Sequence, residues 1–329
     1  MTTSSASSPV QSVASGSVFS GGTDDFKRLY NNKSFQFRHS LKEHSLFELP
    51  RLVTLAETLL RVEGPTSVKW AGSNAAFNMR WSEMPANDRR QSMTNAIAEL
   101  QKSGSWLLLY RVQSDPEYRA LMNKVIGEVA QLSGVSLEEQ ITWRDAYIFL
   151  ASPFSVTPYH VDHESTFLFQ IHGRREANIW DREDRSVLTE PEIEDYYAGN
   201  LSAAKYKEEN QKKANVYEMV AGTGVHHPVL APHAFRNGSE YSVALGVHFC
   251  LKDWDQRARV YQVNACLRRL RLRPTPPGNS PWRDRAKIQM LGAISKRKPK
   301  TKYELLRSGF TRLTFPISLV PGLKKRFAK

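Results

Sequence analysis

Apolar positions along the chain change their spacing near residue 143, and the change separates two kinds of expected element. Before it the repeat is helical. Leu52, Leu55, Leu59 and Leu60 share one face of a helix predicted over 49–62, and Asn87 to Lys102 reads as a second. Asp115-Pro116 opens a third, since Asp can cap a first turn and Pro needs no N–H there. Leu121, Val125 and Val129 line its buried face, and Gly134 ends it. Trp106 to Val112 stands apart as an apolar run suited to a buried strand. After Trp143 come short apolar runs: Ala146–Ala151, Ser165–His172, Ala177–Trp180, Val216–Ala221 and Tyr241–Cys250 are predicted strands. Gly173, Gly222-Thr-Gly224 and Asn237-Gly238 supply turns between them, and Glu190 to Lys213 interrupts as a charged, partly helical insertion. Helices first and strands afterwards predict an α+β fold, a β-barrel or sandwich braced by N-terminal helices.

Composition changes this picture in three places. Met1 to Gly22 is rich in Ser, Thr, Ala and Gly, with neither a basic nor an apolar stretch of a signal peptide, so a disordered tail is expected. Cys250 and Cys266 are too few for a disulfide framework or a thiolate metal site, which fits a reducing cytoplasm. No apolar run approaches the ~20 residues of a membrane-spanning helix. The charge is uneven. The chain carries +13, yet residues 251–329 hold 21 Lys and Arg against 4 Asp and Glu, so everything before them is nearly neutral.

That basic quarter interleaves Leu267, Leu270 and Leu272 with Arg268, Arg269, Arg271 and Arg273, and continues through Lys296 to Lys300 and Lys324 to Arg326. Three readings stay open. It could be a helical appendage that packs on the barrel or forms a homodimer, a phosphate-binding surface for nucleic acid, or a contact with an anionic membrane surface. No zinc-finger, helix-turn-helix or RNA-recognition signature selects the second.

The candidate chemistry sits in Thr157-Pro-Tyr-His160-Val-Asp162. Residues i and i+2 of an extended segment point to one side, so His160 and Asp162 can grip one ion. A bare His-x-Asp pair is common by chance, and its setting carries more weight. Thr166, Leu168, Gln170 and His172 alternate with Phe167, Phe169 and Ile171, as in a barrel strand lining a polar pocket. A third ligand must come from a distant strand, where His226-His227, His233 and His248 compete. His233 is preferred, because it follows a Pro-rich turn and Asn237 lies four residues on. Two imidazoles and a carboxylate suit Fe(II) and leave coordination positions open. The alternatives are a buried hydrogen-bonded cluster and a metal site without oxygenase activity.

These residues resemble the cupin and JmjC family of Fe(II)/2-oxoglutarate oxygenases. Pro228, His233 and Asn237 match the family's second cupin motif, with Leu230 where Gly is usual, while His160, Asp162 and Gly173 fall in register with the first. The spacing is most similar to the asparaginyl-hydroxylase branch that includes factor inhibiting HIF, with Thr157 three residues before the first ligand and Arg175, in place of Lys, fifteen after it. The resemblance covers about residues 147–250. It implies a double-stranded β-helix (cupin or jelly-roll) core, Fe(II) held by His160, Asp162 and His233, and 2-oxoglutarate fastened by Thr157, Thr166 and Arg175, with His248 close by. O2 and an unidentified substrate, a polypeptide side chain among the candidates, would complete the reaction. The implied organisation is a tail over 1–22, a helical part over 23–142, a β-core over 143–255 and a basic extension over 256–329. The competing reading is a non-catalytic cupin-like regulator that binds nucleic acid or an anionic surface through that extension.

Overall fold

A computed structural model describes residues 16–21, 24–72, 76–79, 95, 97, 100 and 105–318. Its strands are β1 (Phe35–Arg38), β2 (Val68–Gly72), β3 (Ser105–Leu109), β4 (Ile141–Ala151), β5 (Val156–His160), β6 (Ser165–His172), β7 (Arg174–Ile179), β8 (Asn215–Val220), β9 (Thr223–His227), β10 (His233–Asn237) and β11 (Ser242–Leu251). They form a seven-stranded sheet, ordered β1-β9-β6-β11-β4-β3-β2, and a four-stranded sheet, ordered β5-β10-β7-β8. The pairings within both sheets are antiparallel. From β4 to β11 the chain crosses repeatedly between the sheets, and this winding is a jelly roll, the core expected from the sequence.

Alternation along the large sheet explains its two faces. Ala146, Ile148 and Leu150 of β4, Phe167 and Phe169 of β6, and Val243, Leu245, Val247 and Phe249 of β11 face the main apolar core. There they meet α1 (Asp24–Leu29) through Phe26, α2 (Leu49–Val62) through Leu52, Leu55 and Leu59, and α3 (Pro116–Ser133) through Leu121, Val125 and Val129. The helical periodicity was therefore legible at these positions, while Leu60, placed on the same face, is only half-buried. Asp115 caps α3 by accepting from the Glu117 N–H, Pro116 stands at its first turn, and Gly134 ends it at φ 72°. The intervening residues of each strand face the gap between the sheets, where Leu168, Ala244, Ala177, Ile179 and Phe235 make a second, smaller core. Polar side chains on this inner face build the site.

Several expectations need correction. The expected tail over 1–22 ends earlier, because Val18 and Phe19 are buried and their N–H groups donate to the Glu128 carboxylate of α3. The short strands β1, β2, β5, β9 and β10 were not foreseen as strands. In β9 the turn signal misled: Gly224 lies inside the strand, where a Cβ would stand 2.4 Å from the Phe37 ring. The helix predicted over 87–102 lies outside the described residues, apart from Asn95, Ile97 and Leu100.

The charged insertion carries α4 (Glu190–Tyr197), started by a Thr189–Glu192 capping box. The basic quarter is helical, as α5 (Lys252–Arg269), α6 (Pro281–Ile294) and α7 (Lys302–Ser318). The expected boundary at 255/256 falls inside α5, whose Trp254, Ala258 and Tyr261 belong to the main core. A helix that begins in the core ties the extension to the barrel.

Gly173 joins β6 to β7 at φ +75°, and a Cβ there would lie 2.3 Å from the Tyr241 carbonyl oxygen. Gly173→Ala is expected to cost about 2–3 kcal/mol of stability, read from the urea midpoint. An unchanged midpoint would show that this turn relaxes freely.

Candidate metal centre

Two neighbouring strands of the small sheet bring the metal-ligand types together. β5 and β10 pair antiparallel with His160 opposite His233 and Thr157 opposite Phe235, and a bulge lies between the two pairs. Three residues of β5 thus span two of β10, which lets Thr157 and His160 face the same side although they are three apart. Asp162 follows at the strand's end, its backbone carbonyl accepting from the Leu230 N–H at 2.8 Å. Ligand atoms of His160, Asp162 and His233 all lie within 4.8 Å of one another, and among the described residues they are the group of three that could hold a metal ion.

The imidazoles are oriented by backbone. His160 Nδ1 lies 2.8 Å from the Pro158 carbonyl oxygen and His233 Nδ1 2.9 Å from that of Ala231. A carbonyl only accepts, so each Nδ1 carries a proton, and Nε2 is the nitrogen of each ring that faces Asp162 and would take a metal. Both Nε2 atoms stand 3.6 Å from Asp162 Oδ2. Burial pushes the Asp162 carboxyl up, but the facing His160 and His233 outweigh it and hold the group well below the usual carboxylate range. Burial, reinforced by His160, lowers the His233 imidazole. A divalent metal needs the carboxylate ionised, and that is the state the facing histidines favour.

The other histidines divide by their hydrogen bonds. His226 has both ring nitrogens engaged: Nδ1–H donates to the Thr166 carbonyl at 2.9 Å and Nε2 accepts from the Asn31 N–H at 3.1 Å. Its ring stacks on Phe167, as a core residue's would. His227 instead lies 4.1 Å, centre to centre, from the His233 ring, with a buried Nδ1 that has no hydrogen-bond partner among the described residues. His248 shares a hydrogen bond with Thr166 through Nδ1 at 3.0 Å, and its buried Nε2 likewise lacks a partner. His227, Thr166, His248 and Asp145 stand in register across β9, β6, β11 and β4, a polar row on the inner face. Gly246 gives His248 its room, since a Cβ there would come within 2.2 Å of Nε2.

Arg175 is the other conspicuous group. It is 3% exposed, with Nε–H donating to Asn237 Oδ1 and Nη2–H to Ser242 Oγ, both at 3.0 Å. No acidic side chain pairs with it among the described residues, and burial alone pushes it down to about 10, still charged at neutral pH. Asn237 fixes the arrangement from the other side, its Nδ2 donating to the Ala151 and Ser152 carbonyls. The guanidinium lies over the Phe235 ring, whose other neighbour is His233. A buried cation thus waits one aromatic ring from the metal-ligand cluster.

Tyr147 was not singled out in the sequence. It packs 4.5 Å from the His248 ring and donates its hydroxyl to Asp145 at 3.1 Å. A tyrosine in an apolar run reads as core, and only the register with His248's strand exposes its place in the pocket. Leu230, where the resembling family has Gly, keeps the left-handed backbone at φ 61°. The turn requires that conformation although the residue type does not favour it.

No protein-family profile matches the chain, and no curated protein matches it. Its fold is similar to solved structures of E. coli YcfD. One, a ribosomal oxygenase in complex with cobalt and 2-oxoglutarate, shows 12% identity and a TM-score of 0.46 over 94% of this chain and 70% of that one. The form in complex with cobalt and succinic acid gives 13% and 0.46 over the same shares. A further structure of E. coli ycfD gives 14% and 0.45 over 89% and 71%. At such distances the chemistry rests on the site's own geometry.

Burial holds His39 and His248 down to about 4 and His226 down to about 3, against an ordinary 6.5. Neutral in the fold, they take up protons on unfolding, so stability falls as pH drops below about 6.5 and keeps falling to about 4, at about 1.4 kcal/mol per unit for each. Urea midpoints of the metal-free protein should follow this slope, and His39→Gln should flatten it. A pH-independent midpoint would contradict the assignment.

Proposed function

We propose that the chain is an Fe(II)- and 2-oxoglutarate-dependent oxygenase, a hydroxylase. The observation that carries this reading is the pairing of a two-histidine, one-carboxylate cluster with a buried, anion-free arginine in the same barrel. The donor set fits iron. His160 and His233 through Nε2, with the Asp162 carboxylate, would fill three positions and leave others for further ligands, unlike a closed structural zinc site. His160, Asp162 and His233 would hold the metal, and Fe(II) with 2-oxoglutarate and O2 would supply the oxidising chemistry.

The chain's own residues bind, orient and keep dry. Arg175 offers a planar fork with two N–H groups already fixed by Asn237 and Ser242, so its remaining donors are preoriented for the distal carboxylate of a dicarboxylate. Thr157, opposite Phe235 across the bulge, would help fasten that end. Thr166 and His248 hold each other in place, and the unpartnered His248 Nε2 can hydrogen-bond the co-substrate or a water. Leu168, Ala177 and Phe235 make the walls apolar and exclude solvent. A polypeptide side chain is the substrate class we favour, on the resemblance of the motifs.

Arg175→Gln would leave a bound carboxylate without its buried cation, a loss of about 2–5 kcal/mol or about 30-fold and more in 2-oxoglutarate affinity. Arg175→Lys should lose less. Succinate release by the wild type, abolished in His160→Ala, is the accompanying activity test; no succinate under any condition would sink the oxygenase reading.

One observation favours a second activity for the extension. Arg271, Arg273, Arg283, Arg285, Arg297 and Lys298 are exposed, and Trp282 is 69% exposed beneath the Arg283 guanidinium. A nucleic-acid or anionic-surface contact there predicts binding to single-stranded RNA that weakens steeply with salt. Binding that is absent at low salt, or indifferent to salt, excludes it.

A further inference from the structure

Lys302, the first residue of α7, reaches out of the extension into the wall of the metal pocket. Its ammonium forms an ion pair with Glu164, lies 3.4 Å from the Tyr147 hydroxyl oxygen and sits 5.7 Å from the centre of the Tyr147 ring. Both partners belong to the pocket. Glu164 lies two residues beyond Asp162 with its side chain 5% exposed, and Tyr147 packs on His248. Because the Tyr147 hydroxyl donates to Asp145, its oxygen is left to accept, and it faces Lys302. Asp145 itself is already satisfied by Gln113, Trp143 and Tyr147. Glu164, by contrast, has the Lys302 ammonium as its ion-pair partner among the described residues, and a buried carboxylate is costly without a cation.

The rest of α7 shows how the lysine is delivered. Gln262 of α5 donates to the Leu306 carbonyl at 2.6 Å, and Arg307 donates to the Ala198 carbonyl at 2.9 Å. The Arg307 guanidinium fills space left by Gly199, where a Cβ would come within 1.6 Å of Nη2. Phe310 packs with Ala198, Ala265 and Cys266. These contacts seat the helix on α4 and α5, so Lys302 is aimed from a fixed base.

We propose that the Glu164 carboxylate and the Tyr147 ring and hydroxyl form a subsite for a primary ammonium group, and that Lys302 is the chain's own occupant. The cation–π face and the carboxylate select charge and shape together. A substrate presenting a lysine-like side chain takes the place of Lys302, so the extension acts as an internal plug beside the metal. The inference rests on reading the His160 cluster as the reacting centre, since only then is the neighbouring wall a substrate wall.

The test is calorimetric and uses the full-length, metal-free protein, so it stands whether or not the chain turns over 2-oxoglutarate. The probe is Nα-acetyl-lysine methylamide, with the norleucine analogue as its neutral control. A plug seated about nine-tenths of the time weakens apparent affinity about tenfold, so Lys302→Ala should bind the probe about tenfold tighter than wild type. Adding Glu164→Gln should abolish the gain, and the norleucine analogue should bind none of the three. Lys302→Met, which keeps the aliphatic stem and its packing, gives the same comparison if the alanine variant fails to fold. Equal affinity in wild type and both Lys302 variants, or a gain that survives Glu164→Gln, overturns the proposal.

Discussion

The pairing of β5 with β10 is the constraint on which the site depends. It sets His160 opposite His233, and the bulge beside them brings Thr157 round to the same face. Without that extra residue, β5 would present alternate side chains, and His160 and Thr157 would point to opposite sides of the sheet. The backbone then finishes the work. Two carbonyls accept from the Nδ1–H groups, both Nε2 atoms face one carboxylate oxygen, and Leu230 ties the Asp162 backbone to the β9–β10 turn. Leu230 keeps a left-handed backbone at φ 61°, a conformation that costs about 1–2 kcal/mol in a non-glycine residue. That strain persists because the turn is fixed at both ends.

The large sheet plays the complementary part. Its outer face is ordinary core, held by α2 and α3, and its rigidity allows unfavourable chemistry on the inner face. Arg175 keeps its charge in a site that penalises it, offset by neutral hydrogen bonds and the face of the Phe235 ring. Among the described residues, His227 and His248 each bury a nitrogen without a partner. Buried polar atoms left unsatisfied are rare and costly, and two of them lie beside the metal ligands. An apolar barrel would be more stable. A buried charge and two unpartnered nitrogens in one pocket are what a ligand with matching groups would relieve.

Much of this was legible in the sequence, for identifiable reasons. The α2 and α3 faces, the Asp115–Gly134 limits of α3, and the long strands β4, β6 and β11 follow from local periodicity and caps. His160, Asp162 and His233 come together as their residue types and flanking turns suggested, and His226 proves to be a hydrogen-bonded core residue. The rest depended on long-range register. β5, β9 and β10 are five residues each, too short to show a period. Gly246 looks like a strand weakness until His248 is seen lying across it. Tyr147 and Glu164 carry no motif, and nothing local links them to Lys302, more than a hundred residues downstream.

The central claim, that His160, Asp162 and His233 form one metal centre sharing its pocket with 2-oxoglutarate, has a direct optical test. Fe(II) and 2-oxoglutarate added together without oxygen should give a visible metal-to-ligand charge-transfer band in the wild type. The band should be lost in His233→Ala and retained in His226→Gln. A wild type without the band, or a His233→Ala variant that keeps it, would contradict the account.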